Sequence, residues 1–579
     1  MRILFLHPED SPRRGPWSTE RWDLIVDLGR SSAFSAGDWS GQYSCPILRS
    51  DTFSEDIADA KLVRQIFSAG RGTLIDEEGI DWWDLTSLLL VPELMTVLAL
   101  RRMAAEINRS AELWTTRAGG PARFLALVLD RDIRPMGNDA GLSARAKHYT
   151  GILRRLSAPQ IKEILLDKYD SGYRWRSRLS STARPQNEPV VLLPSAYGNV
   201  SRTAAAYASL LPAEKFLLVA TRPSARRFDP PENVAVQDLG AYAKQSPPAA
   251  EIVSLCERWR HLRAVLSATA ELDILLRAGE FQPIPDWIRD GVIARNAWRE
   301  VLRREPIRAV LCGDDSNRYT RLPVLLAASR KIPTVDFHHG ALDGRYLVKD
   351  LPCDVYLAKN EVERDYLVRT CGLSESKTAL GAPPEEDARS LETTAAERKS
   401  PVFFSEPYEI VGVRTEEVYR EVLPPLCGLV RERGGDVVLK LHPFENLSQR
   451  ERLVREILKP DDASRIRVID GPITAELMAE AWFGITVEST TVIDCLRNGV
   501  RCFLCSWLKS SSYGYMQQFA RFGIGEALPD AMQIKNIGVL LAKAPPIAAA
   551  PLRVPLNPSG LHQLLRSASR ERESLKTVS

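Results

Sequence analysis

Long hydrophobic runs are what this 579-residue chain most plainly lacks. Its most apolar stretch, Leu85 to Leu100, is interrupted by Pro92-Glu93 and falls short of the roughly 20 residues that a helical membrane span needs. Met1-Arg2-Ile3-Leu4-Phe5-Leu6 is broken at once by His7-Pro8-Glu9-Asp10, so it reads as a short strand rather than a secretory apolar segment. A soluble protein is the expectation. Cysteine is scarce and scattered: nine residues, an odd number, argue against a disulfide framework and for a reducing cytosol. Charge of one sign is lacking too. Against 77 Lys and Arg stand 74 Asp and Glu, a net charge of +3, which implies no nucleic-acid partner.

Signature motifs are equally sparse. P-loop, kinase, metalloprotease and serine-hydrolase patterns do not occur. Cys502-x-x-Cys505 lies in an apolar strand without a second pair at zinc spacing, so buried thiols are expected. Asp130-Arg131-Asp132 mimics a metal-binding acid pair, but it ends a helix that Gly119-Gly120-Pro121 begins and that has one apolar face. Trp17, Trp22, Trp82 and Trp83 are read as packing residues. No metal and no cofactor is expected.

What is present is globular material, 44% hydrophobic and 26% charged. Its length suits about three or four domains. Short apolar strands alternate with longer amphipathic segments, the mark of parallel α/β layers. Residues 1–185 give strands at Ile3–Leu6, Leu24–Leu28 and Glu112–Thr116, with helical segments at Asp84–Ile107 and Leu142–Lys168. A polar linker, Ser180 to Glu188, follows.

A second unit, 186–385, has strands at Pro189–Leu193, Phe216–Ala220, Val234–Gln237, Ala309–Cys312, Thr334–Phe337 and Asp354–Leu357. One long helical stretch, Ala249–Arg304, separates the third from the fourth. The charged, Pro-initiated stretch that continues to Lys399 supplies a linker at 386–400. The last unit, 401–545, has strands at Val402–Phe404, Asp436–Leu441, Ile466–Ile469, Phe483–Val487 and Arg501–Leu504. A tail, 546–579, carries a helical patch at Leu561–Leu565.

Two places in the last unit suit a phosphate. The strand Val437-Val438-Leu439 delivers Lys440 and His442 into a crevice at its carboxyl end, on one side by the period of two. An imidazole there can donate to a phosphate oxygen as negative charge builds on a departing nucleotide. Some forty residues on, Glu488-Ser489-Thr490-Thr491, with Asp494 behind, opens a helix and offers hydroxyls and amides to an anion. Glu488 can reach ribose hydroxyls or simply favour the helix's positive end. In the middle unit, His338-His339-Gly340 closes a strand, and one His of such a pair is expected to face the core. Asp314 and Asp315, after the strand ending at Cys312, are the rival bases. The turn Ser195 to Arg202 carries Gly198, Asn199 and a cation, Arg202, and is not a dinucleotide fingerprint.

His338-His339-Gly340, Asp354 to Asn360 with Leu380-Gly381-Ala382-Pro383, Lys440-Leu441-His442-Pro443, and Glu488-Ser489-Thr490-Thr491 with Asp494 and Gly499 occur in that order. In these features the chain resembles bacterial surface and capsular polysaccharide glycosyltransferases of the GT-B class, related to CDP-glycerol glycerophosphotransferases. The likeness covers roughly residues 300 to 510. It implies two doubly wound, Rossmann-like domains with a cleft between them, preceded by an accessory α/β region. It implies His339 at the active cleft as the base, Asp314 and Asp315 staying its rivals from their place at the strand end, and Lys440, His442, Glu488, Ser489, Thr490, Thr491 and Asp494 on the donor. Gly198, Asn199, Arg202, His338 and Gly340 fall on the acceptor side. The expected activity is metal-independent, inverting transfer of a sugar from a nucleotide donor to a hydroxyl of a growing surface polysaccharide or glycolipid. A glycerophosphotransferase, a nucleotide-sugar 2-epimerase and a non-catalytic glycan-assembly subunit stay open beside it. The expected place is the cytoplasm, at the inner face of the membrane, where Arg566, Arg570, Arg572 and Lys576 of the tail can meet anionic lipid.

Overall fold

The computed structural model describes residues 1–8, 10, 15–29, 45–136, 186–243, 249–313, 315, 318–340, 344–384, 398–408, 413–508, 518–519, 521–543 and 553–567. The helix expected at Leu142–Lys168, residues 180–185 of the expected linker, and Asp314 lie outside these residues.

Three parallel sheets account for every strand in the described sheets. The first contains β1 (Arg2–Leu6), β2 (Leu24–Asp27), β3 (Ile47–Arg49), β4 (Glu112–Thr115) and β5 (Arg134–Pro135), in the order β3-β2-β1-β4-β5. The second contains β6 (Val190–Ser195), β7 (Lys215–Ala220), β8 (Val234–Asp238), β9 (Ile307–Cys312), β10 (Thr334–Asp336), β11 (Val355–Ala358) and β12 (Thr378–Leu380), in the order β12-β11-β10-β9-β6-β7-β8. The third contains β13 (Ser400–Phe404), β14 (Val437–Lys440), β15 (Ile466–Ile469), β16 (Ala481–Thr486), β17 (Cys502–Cys505) and β18 (Glu526–Leu528), in the order β15-β14-β13-β16-β17-β18.

Counted from its own first strand, each sheet runs 3-2-1-4-5 and onward, the doubly wound order. The chain is therefore an α/β protein whose last two sheets are the expected Rossmann-like pair. The accessory region before them is a third sheet of the same kind. Helices on both faces explain why the central strands are apolar throughout: Ile3 to Leu6 and Val190 to Leu193 are all fully buried. The edge strands β3, β5, β12 and β18 escape the sequence pattern because they are two or three residues long and partly exposed.

The described residues form two compact units. One holds the first and third sheets (within 1–60, 93–161 and 388–549), the other the middle sheet (within 61–92, 162–387 and 550–579). Residues 61–92 join the middle sheet's unit because of their tryptophans. Trp83 stacks on Trp259 at 6.0 Å, and Gly291 makes room for Trp82, whose ring lies 2.2 Å from where a Cβ would stand. Asp76 pairs with Arg295 at 2.5 Å, both nearly without exposure.

Three other expectations change in detail. Pro92 does not break the apolar stretch, since it is the second residue of the helix Val91–Met103, where a missing N–H costs nothing. The helical run Trp82–Glu106 is thus long and apolar enough by composition to cross a membrane, yet 72% of its apolar window is buried inside the protein. Ala249–Arg304 is three helices, 249–266, 270–278 and 284–304, the second ended by Gly279 in the left-handed region. The segment 553–567 does not leave the globule. It bridges Ala382 through Pro555, and its helix Pro558–Ser567 buries Leu561 and Leu565 in the core of the middle sheet.

Candidate functional site

The switch point of the third sheet lies between β13 and β16, where crossovers leave in opposite directions and a crevice opens at the carboxyl ends. Three loops meet there. Ser405-Glu406-Pro407 follows β13, Leu441 to Glu445 follows β14, and Val487 to Thr490 follows β16. Gly484 lets the helix Thr491–Arg497 lie close on β16, because a Cβ there would be 2.6 Å from Cys495 Sγ.

His442 is half-buried, and its Nδ1 accepts the Phe444 N–H at 3.2 Å. Burial, and then the charge of Lys440, push its pKa below the ordinary 6.5. The imidazole is therefore neutral near pH 7, with its proton on Nε2. It is a fixed hydrogen-bond donor. The Phe444 ring, 54% exposed, lies 4.9 Å from the imidazole and gives the spot an aromatic face.

Lys440 is 4% exposed and donates to Leu441 O and Gly471 O, both at 2.7 Å. Burial lowers its pKa, against the pull of Asp470 and Glu445. One ammonium proton is left for a ligand.

Two acids that the sequence reading missed complete the group. Glu445 Oε2 accepts the His442 N–H at 2.9 Å; Oε1 accepts from Arg450 Nε at 2.8 Å and Ser405 Oγ at 3.0 Å. Glu406 Oε1 accepts the Glu488 N–H at 2.8 Å and the Thr486 hydroxyl at 3.1 Å. Burial raises the pKa of both carboxyls, and the Glu445 charge raises that of Glu406 further. Glu406 thus already occupies the first amide of the turn expected to hold phosphate. The hydroxyls are placed differently: Ser489 Oγ accepts the Thr491 N–H at 3.3 Å, and the Thr490 side chain makes no cap. Thr491 Oγ1 is buried without a hydrogen-bond partner among the described residues. Asp494 lies one turn further on, 4.0 Å from Arg497. The signal for Glu406 and Glu445 was slight: an acid two residues past an apolar strand, and another three residues after His442.

In the middle sheet, β10 delivers His338 and His339. His338 is the core-facing member, 7% exposed, edge-on to Tyr346 at 5.9 Å. Burial first, then the charges of His339, Lys359 and Lys349, hold its pKa well below 6.5. His339 is half-buried, with Nδ1 3.4 Å from Gly313 O at the end of β9. A carbonyl only accepts, so that contact, long as it is, favours the tautomer with a lone pair on Nε2. Gly340 O accepts from Lys359 Nζ at 2.6 Å. Asp315 is fully buried and ion-paired to Lys349 and Arg321, which removes it as a solvent-facing base. Asp336 accepts from the Tyr346 hydroxyl at 2.7 Å.

On the turn after β6, Gly198 opens the helix Gly198–Ala208 and packs against Ser224 O, 3.0 Å from its missing Cβ. Asn199 Oδ1 accepts the Val200 N–H at 3.0 Å, and Arg202 is exposed. Among the described residues no group of three or more His, Cys, Asp or Glu is arranged to hold a metal ion. The cysteines are free and all but Cys256 are buried.

No family model matches the chain, and no curated protein matches it. Solved structures do resemble it at low identity. The UDP-GlcNAc 2-epimerase of Methanocaldococcus jannaschii is 11% identical, covering 67% of this chain and 100% of its own, with a TM-score of 0.40. A glycosyltransferase from Rickettsia africae is 11% identical over 68% and 98%, with a TM-score of 0.37. CalG4, the calicheamicin glycosyltransferase, is 13% identical over the same shares, also at 0.37. At such scores the likeness carries no argument about this chain's reaction, which has to come from its own residues.

Proposed function

We propose that this protein is a glycosyltransferase that moves a sugar from a nucleotide-sugar donor to an acceptor hydroxyl. One observation carries the reading: His442, fixed as a neutral Nε2–H donor at the switch point of a doubly wound sheet, beside an exposed aromatic ring and the Glu488 turn. In this reading Nε2–H of His442, the remaining proton of Lys440 and the hydroxyls of Ser489, Thr490 and Thr491 meet the donor's diphosphate. Glu488 takes the ribose, and Asp494 supports the turn. Negative charge grows on the diphosphate as the anomeric C–O bond breaks, and a preorganised neutral donor stabilises it without a change of protonation.

His339 serves the acceptor. With Nδ1–H on Gly313 O, its Nε2 takes the hydroxyl proton as the acceptor oxygen bonds to the anomeric carbon. Asp314 is the rival for this proton. Gly198, Asn199, Arg202 and Gly340 line the acceptor's side, while His338, turned into the core, packs beside His339. Direct displacement of this kind inverts the anomeric centre and uses no metal. The two residue sets belong to different units. The acceptor we favour is a growing surface polysaccharide or glycolipid at the cytoplasmic face of the membrane.

The test is a melting-temperature screen with CMP, CDP, UDP and GDP. At least one should stabilise the protein, by about 2.7 kcal/mol at a hundredfold excess over its Kd. His442→Ala should remove the shift; His339→Ala should keep the shift and stop transfer. A flat screen would remove the donor site, and turnover surviving in both variants would remove the assignment of residues. Epimerisation of a UDP-sugar without any acceptor would instead favour the 2-epimerase.

A further inference from the structure

A doubly wound sheet ordinarily takes its ligand at the carboxyl ends of its central strands. In the first sheet, that place holds a side chain of the protein itself. Arg414 immediately precedes the helix Thr415–Arg433 of the third sheet's domain. Its NH1 lies 3.0 Å from Asp27 Oδ2, and its NH2 2.8 Å from Asp27 Oδ1, at the last residue of β2. Its Nε donates to Pro8 O at 3.0 Å, and NH2 also donates to His7 O at 3.1 Å, just past β1. Asp27 is 1% exposed, and its Oδ1 also accepts the Gly29 N–H at 3.0 Å. The planar fork of an arginine matches such a carboxylate in a way a lysine cannot. Removing one partner would leave an uncompensated buried charge, so the pair holds firmly.

A short hydrogen-bonded path leads from Arg414 to the candidate donor site. The Val413 N–H donates to Tyr408 O at 3.0 Å, and the Tyr408 N–H to Glu406 O at 2.8 Å. Both side chains are buried, Val413 3% and Tyr408 1% exposed. The Glu406 carboxylate then accepts the Glu488 N–H at 2.8 Å. The described residues between β13 and its helix are thus fastened at one end in the first sheet and at the other in the turn after β16.

We propose that Arg414 is a positioning residue and that the crevice of the first sheet is its receptor. By seating Arg414, the ends of β1 and β2 fix the loop that carries Glu406, and Glu406 in turn fixes the Glu488 turn. The first sheet then serves the site of the third sheet. The inference rests on the glycosyltransferase reading only for the identity of the ligand. The coupling is a property of the ligand-free protein.

Contiguity alone does not establish coupling, so the test perturbs one end and reads the other. Amide hydrogen exchange is followed in the whole, ligand-free protein for wild type, Asp27→Asn and Arg414→Lys. We expect exchange in the segment 484–491 to quicken about tenfold in Asp27→Asn and less in Arg414→Lys, while 307–312 of the middle sheet is unchanged. Exchange at 484–491 equal to wild type in both variants, with quickening confined to 5–10 and 413–418, would overturn the proposal. If Asp27→Asn does not fold, Arg414→Lys decides alone, because it keeps a cation on Asp27. A nucleotide that stabilises the wild type should bind about tenfold more weakly to Arg414→Lys, an effect larger than the fall in its Tm explains. A wild type that binds no nucleotide would defeat the glycosyltransferase reading and leave the exchange result standing.

Discussion

His338 shows how far burial can set a side chain's chemistry apart from its neighbour's. Nε2 of its ring has no hydrogen-bond partner among the described residues, and a proton on it would be repelled by Lys359, Lys349 and a protonated His339. The folded protein holds it neutral, whereas the unfolded chain protonates it near the ordinary 6.5. Because its folded pKa is depressed, its stability contribution is fully present above 6.5 and is lost as pH falls below that value. Replacing it with Phe, which cannot titrate, should flatten this part of the profile. Urea unfolding of wild type and His338→Phe across that range checks it, and equal acid slopes would refute it. The same contrast marks what could be read at this scale. The residue types at 440, 442 and 488 pointed to an anion. Nothing local told that Lys440 would be tied to two carbonyls, or that Glu406 would fill the turn's first amide. Acids past strand ends are ordinary, and only the meeting of three loops gives these two a role.

Elements come next in scale, and Gly484 decides how two of them meet. It sits within β16, where its missing side chain lets Cys495 Sγ, Cys502 Sγ and the Phe404 ring approach to 2.6, 3.1 and 3.1 Å of a Cβ position. Gly484→Ala should therefore overpack the contact between β16 and the helix Thr491–Arg497 and cost about 1–3 kcal/mol. Adding Cys495→Ala removes the closest sulfur and should recover part of that loss. Guanidinium unfolding of the single and double variants measures both, and a double variant less stable than the single would contradict the packing argument. Most strands were legible as elements because apolar runs between turn residues are a local signal. Short edge strands were not, since two or three half-exposed residues make no pattern. The stretch 249–304 read as one helix although Gly279 and Pro283 mark its second break; the first, Ser267-Ala268-Thr269, holds neither Gly nor Pro and so leaves no local signal.

For the whole molecule, the chain alternates between its two units, and its last described segment returns to the middle sheet. Two cores of this size should not melt as one, so equilibrium unfolding is expected to show two transitions. Ending the chain at residue 552 removes Leu561 and Leu565, which are 0% and 1% exposed. It should lower only the transition of the middle sheet, by at least the 2–5 kcal/mol typical of losing one buried leucine. Calorimetry of the full and shortened chains tests this, and a shift of both transitions, or of neither, would count against it. The doubly wound character of the protein was written in the sequence, because strand, turn and helix each leave a local periodicity. So was the place of Lys440, His442 and Glu488 at or just past strand ends. The tertiary structure alone decided three further matters. It grouped the first sheet with the third, brought residues 61–92 and 553–567 to the middle sheet, and seated Arg414 on Asp27 and Glu406 on the Glu488 turn. Each is a contact between residues far apart in the chain. Such contacts are selected by shape, burial and charge after the elements form, and they leave no mark in either local stretch.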